Sequence, residues 1–174
     1  MNADAFRQYY EYHFAEKRKI WYFVKQLTTE QFTQPMGYSH GSIRDQVIHL
    51  INVEEGWFSE LQGIQPPDPQ PADGADDDDR TAIRARWDSV ETMMRGYLTG
   101  LQDEMLFTKP ITDPEEDKEL IVWQVLLHVV NHATDHRAQI LRSMNDLGIE
   151  SPPQDYIFFV YEQLENSNQD GTNA

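Results

Sequence analysis

The chain has 174 residues, enough for one domain with a substantial core, and it contains no cysteine. That excludes disulfides, iron–sulfur clusters, thiolate zinc sites and a cysteine nucleophile, so any transition metal must be held by His, Asp, Glu, backbone or water. A formal net charge of -16, from 30 acidic against 14 basic residues, opposes binding to a phosphate backbone, and no nucleic acid is expected as a partner.

The first residues lack the basic and apolar regions of a secretory leader, and no apolar run approaches the length of a membrane span. A soluble cytoplasmic protein, with no membrane partner, is the expectation. Over residues 3–27, Phe6, Tyr10, His13, Phe14, Ile20, Trp21, Val24 and Leu27 recur at helical period, with Glu16, Lys17, Arg18 and Lys19 toward solvent. Residues 28–41, with Pro35 and Gly37, read as a connection carrying a short turn. Ser42, three residues before Asp45, is a variant capping box that opens a second helix running to Gln62, before Gly63. The stretch 63–79 is proline-rich and then acidic, which predicts an extended, mobile connection long enough to span a helical bundle. Its aspartates lack the spacing of a calcium loop.

A third helix is predicted over 80–101, with Ile83, Trp87, Val90, Met94, Leu98 and Leu101 at core spacing. Residues 106–119 read as a second loop, and a fourth helix follows over 122–147, stopped by Gly148. After Pro152 and Pro153, residues 154–163 read as a short amphipathic helix. The domain is expected to span 1–164, leaving 165–174 as a frayed polar tail. Five helical segments joined by loops make the class all-α.

Three of the six histidines, His128, His132 and His136, stand four residues apart on the fourth predicted helix and share a face. Neighbours in that series lie about 6 Å apart along the axis and roughly 40° around it, close enough to share one ion; the outer two, about 12 Å apart, are not. An adjacent pair therefore needs a further ligand from another helix, and His49 on the second helix is the candidate. Several costly imidazoles on a buried face call for a shared partner, commonly a divalent cation. His13 and His40 read as hydrogen-bonded structural histidines. Glu54, at core spacing with Leu50, Ile51 and Phe58, reads either as a buried acid or base or as an ion-pair partner of Arg44 or Arg137.

The segment His128-Val-Val-Asn-His132-Ala-Thr-Asp-His136-Arg137-Ala-Gln139-Ile140 resembles the HxxxHRxQ signature of the DinB-like (DinB/YfiT) superfamily of metalloenzymes. Gly41 to His49, followed by Glu55 and Trp57, is similar to that family's second-helix pattern, and the run from Gly148 to Tyr156 to its ending. Ala138 departs from it, since many members have Gly there. The resemblance implies an up-down-down-up four-helix bundle with a long crossover between the second and third helices, plus a short C-terminal helix. It maps the metal ligands onto His49, His132 and His136, with His128 lining the site or packing beneath it. Three neutral imidazoles leave positions open on the ion, the catalytic pattern for zinc, where a bound water or thiol ionises readily. Zinc or nickel is expected, with iron or manganese also compatible. Glu54, Glu55 and His128 are candidate catalytic groups, and Asp45, Asp135 and Arg137 are candidates to orient the ligands. The implied activity is a metal-dependent thiol S-transferase or hydrolase acting on a small molecule, with a low-molecular-weight thiol as partner. Its rival is a non-catalytic bundle in which the metal is structural or absent. Aromatic residues in excess of what a small bundle buries predict a homodimer.

Overall fold

The computed structural model describes residues 1–37, 39–68, 79–151 and 153–171. Every regular element among them is helical: α1 (Ala3–Val24), α2 (Thr29–Thr33), α3 (Ile43–Leu61), α4 (Arg80–Gly100), α5 (Val122–Asp146) and α6 (Tyr156–Gly171), with 3₁₀ turns at Asp103–Phe107 and Glu115–Asp117. The starts follow side-chain chemistry. Asn2 accepts from the Ala5 amide at α1, Thr28 and Gln31 form a capping box at α2, and Ser42 and Asp45 form another at α3. Gly148, at φ +76°, closes α5 by letting the Ile149 amide return to the Met144 carbonyl at 2.9 Å.

The long helices pack in a closed ring of neighbours, α1 against α4 and α5, and α3 against α4 and α5, while α2 lies on α3. Phe6, Tyr10 and Phe14 of α1, Leu50 and Phe58 of α3, Trp87 and Met94 of α4 and Leu126 and Val130 of α5 are all buried in one core. Arg7 reaches the carbonyls of Leu98 and Leu101 at 3.0 Å each, and Trp21 meets Trp87 edge to face at 6.1 Å. No helix among the described residues is long and apolar enough to cross a membrane.

Three expectations are corrected. α1 stops at Val24 rather than near residue 27, because Arg80 from α4 takes the carbonyls of Val24 and Leu27 at 3.2 and 2.6 Å and so caps a tightened last turn. Glu16 and Lys17 point inward, at 3 % and 1 % exposure, where Lys17 finds carboxylate partners in the core. The C-terminal helix is not short: α6 continues through 165–171 with no proline to interrupt it, so those residues are helical rather than a frayed tail. Its first turns are fixed by buried Phe159, by Tyr156 set edge-on to Tyr12 at 5.2 Å, and by Lys19 bonded to Glu162 at 3.1 Å. Most of the expected mobile connection, 69–78, lies outside the described residues. Its downstream end is held by Asp79, which accepts from Arg44 at 2.6 Å.

Candidate metal centre

The packing of α3 on α5 brings His49 against His132 and His136. The Nε2 atoms of His49 and His132 are 3.2 Å apart, and the His136 ring centroid lies 4.5 Å from that of His49 and 4.4 Å from that of His132. A fourth ring joins them. His40, on the loop before α3, stacks on His49 with centroids 3.8 Å apart, and one nitrogen from each of His40, His49 and His136 lies within 4.8 Å of the other two. The loop delivers His40 there through left-handed residues on both sides, Gly37, Ser39 and Gly41. Gly41 is required twice over, since φ is +88° and an added Cβ would come 2.8 Å from the Asp45 carboxylate of the α3 cap. His128 follows one turn before His132, its ring 5.6 Å from that of His132 and edge-on to Trp57 at 5.4 Å.

Reading His40 as an ordinary structural histidine is thus corrected. A loop residue has no periodicity to place it, and its position depends on glycines and a cap whose geometry is three-dimensional. The only sequence signal was a histidine between glycines next to a strong N-cap.

Electrostatics prepare the cluster for a cation. Burial, then the neighbouring imidazoles, lower His49 and His132 to about 4, and burial followed by His40 lowers His136. The rings are neutral near pH 7 and carry free lone pairs. His136 is oriented by the Gln46 side chain, whose Oε1 accepts from Nδ1 at 2.8 Å and leaves Nε2 as the ligand atom. The donor spacing suits an ion: zinc–nitrogen bonds of about 2.0–2.1 Å at tetrahedral angles put ligand nitrogens roughly 3.3 Å apart. The 3.2 Å between His49 and His132 is that separation.

The other expected site residues go elsewhere. Asp45 closes the α3 capping box, accepting from the Ser42 amide at 2.9 Å and the Ser42 hydroxyl at 2.7 Å, and does not touch His49. Glu55 pairs with Arg86, which also donates to Asn52 at 2.8 Å on the α3–α4 surface. Arg137 turns into the core, donating to His13 Nδ1 at 3.2 Å, Gln154 at 3.1 Å and Thr134 at 2.9 Å. Glu54 is buried against neither Arg44 nor Arg137. It lies 3.1 Å from His13 Nε2 and 3.4 Å from Lys17, and it accepts from the Trp87 indole at 3.0 Å. Burial alone would raise its pKa, but Lys17, His13 and the Trp87 hydrogen bond hold it at about 2, so it is a permanent anion with its own partners. Asp135 stands beside the cluster and accepts from Gln139 at 3.1 Å. A separate cavity of about 220 Å³, lined by Met1, Phe6, Leu106, Phe107 and Trp123, contains none of the histidines.

An all-helical domain with convergent neutral imidazoles between two core helices defines a helical protein able to hold a divalent metal. The chain belongs to the DinB family, whose model matches residues 1–171. It is similar to Protein DinB of Bacillus subtilis (strain 168), with 25 % identity over 166 residues that cover 92 % of this chain and 96 % of that relative.

Proposed function

We propose that this protein is a metal-dependent enzyme acting on a small molecule, a thiol S-transferase or hydrolase, with a divalent ion held by His49, His132 and His136. The observation that carries the reading is the 3.2 Å approach of two neutral imidazole nitrogens from different helices, with a third ring already oriented by Gln46. Zinc and nickel suit an all-imidazole donor set best. When bound, such an ion supplies Lewis acidity and favours the anion of a coordinated thiol or water. The chain's own residues do the rest. Gln46 accepts from Nδ1 of one ligand, and exposed His128 with Trp57 edge-on to it flanks the cluster, where Trp57 offers an apolar wall to a substrate.

The helices are read as an up-down-down-up bundle. Contacts of Arg7 with Leu98 and Trp21 with Trp87 support antiparallel α1 and α4. Gln46 with His136 and Trp57 with His128 support antiparallel α3 and α5, and Asp79 with Arg44 beside Trp87 with Glu54 supports parallel α3 and α4. The reading includes a homodimer through α6, whose Ile157, Phe158, Tyr161 and Leu164 are exposed. Light scattering that finds only monomer well above micromolar concentration removes that part.

His40 supports a second reading, a structural metal, because four imidazoles would complete a tetrahedral shell with no exchangeable position. Cobalt-loaded protein separates the two. The enzymatic reading predicts a sulfur-to-metal charge-transfer band when a small thiol is added to the parent protein. The structural reading predicts no response in the parent and a band only in His40→Ala.

A further inference from the structure

We propose that Gln139, acting through Gln46, sets the tautomer of His136 and so keeps its Nε2 lone pair free for the histidine cluster. The inference rests on reading that cluster as a metal site, but the chain of contacts behind it does not.

An imidazole can carry its proton on either nitrogen, and a glutamine amide can face either way, so Gln46 beside His136 fixes nothing alone. If Gln46 presented its NH₂ group to Nδ1, the proton would move to Nε2 and the ring could not ligate. Direction has to enter from a group with no choice. Asp135 is that group, because an ionised carboxylate only accepts. Gln139 donates to Asp135 Oδ2 at 3.1 Å, one turn along α5, which turns its Oε1 toward α3. That oxygen can only accept, and the Gln46 NH₂ group donates to it at 3.2 Å. The Gln46 Oε1 is thereby turned to His136 Nδ1 at 2.8 Å, so Nδ1 must carry the proton. Each link leaves the next one orientation. Gln46 is 2 % exposed, so water does not compete at the decisive contact. The Ser39 hydroxyl also donates to Gln139 Oε1, so the same side chain seats the loop that carries His40.

Gln139 touches no imidazole in these contacts, which makes it a positioning residue, and its test is the tautomer itself. In metal-free protein with ¹⁵N-labelled histidine, long-range proton–nitrogen spectra should show His136 as a single Nδ1–H tautomer. Gln139→Met should give a mixture of tautomers and weaken zinc affinity by about 10- to 100-fold, the usual effect of losing a contact that orients a ligand. Asp135→Asn, at an exposed position that cannot threaten folding, should shift the tautomer in the same direction by less. Adding Gln46→Glu to Gln139→Met should restore the Nδ1–H form, since a carboxylate accepts whichever way it turns; a merely structural role for Gln139 would not be rescued this way. A single Nδ1–H signal in both Gln139→Met and Asp135→Asn, or an Nε2–H ring in the parent, would overturn the relay even if zinc binds. A tautomer that follows Gln139 in a protein that binds no zinc would uphold the relay and refute the metal reading.

Discussion

α3 and α5 each contribute to two polar regions that differ in kind. His49 and Glu54 stand on α3, and His136 and Arg137 are adjacent on α5, yet the members of each pair serve opposite neighbourhoods. Around Glu54 everything is closed. Lys17, Trp87 and His13 surround the carboxylate, Arg137 donates to the far side of His13, and His13 and Glu54 have 0 % and 1 % of their surface exposed. Around His49 the neighbours are other imidazoles, with like facing like, and burial together with those rings lowers His49 itself to about 4. Opposite charges close the first region from within, whereas the second presents convergent imidazoles able to hold a cation. His13 makes the point within one residue type: its two nitrogens meet an arginine and a carboxylate, while His49 Nε2 meets the nitrogen of another imidazole.

The largest expected effect tests the closed region. Glu54→Ala leaves Lys17 buried without its nearest anion and should cost about 3–5 kcal/mol in urea unfolding, the usual penalty for breaking a buried pair on one side. Zinc affinity of the folded variant, measured by calorimetry, should stay near the parent's. A stable variant with abolished zinc binding would reverse the assignment of the two regions.

Acidification should then separate them by pH. The folded pKa of Glu54 is held at about 2 against 4.5 when unfolded, so the unfolded chain takes the extra proton first. Its stabilisation is present above about 4.5 and lost as pH falls toward 2. His49 and His132 are depressed from 6.5 to about 4, and protonation again favours the unfolded chain. Their contribution is present above 6.5 and lost as pH falls to about 4. In metal-free protein, His49→Asn should flatten the urea-derived stability profile in the upper window and Glu54→Gln in the lower. An upper window unchanged by His49→Asn would show that the cluster is not where those protons go.

The smallest effect concerns Asp45. Ser42→Ala removes half of the α3 capping box and should cost about 1 kcal/mol in thermal unfolding while leaving zinc affinity unchanged. A clear loss of affinity would mean that this cap orients His49 as well as starting its helix.

What was legible in the sequence follows from periodicity. Helical spacing puts His132 and His136 on one face, and apolar period with a strong cap puts His49 on a helix that packs there. What failed was local in three dimensions. Lys17 carries a charge that reads as solvent-facing until its partners Glu54 and Glu91 are seen across the core. Gln46 follows Arg44 and Asp45 near the start of α3, and nothing in its spacing says that it meets an imidazole from α5. α6 runs past residue 164 on an exposed surface, where hydrophobic pattern gives no signal to extend or end a helix. His40 sits in a loop, so only the folded backbone brings it to His49.

The central claim, that a cation completes the histidine cluster, is tested most directly by elemental analysis of protein purified without a polyhistidine tag, alongside its His49→Ala and His13→Ala variants. The account predicts one divalent transition metal per chain in the parent and in folded His13→Ala, and its loss in His49→Ala. Stoichiometric metal retained by His49→Ala, or a parent that takes up none from a zinc- or nickel-supplemented medium, would contradict it.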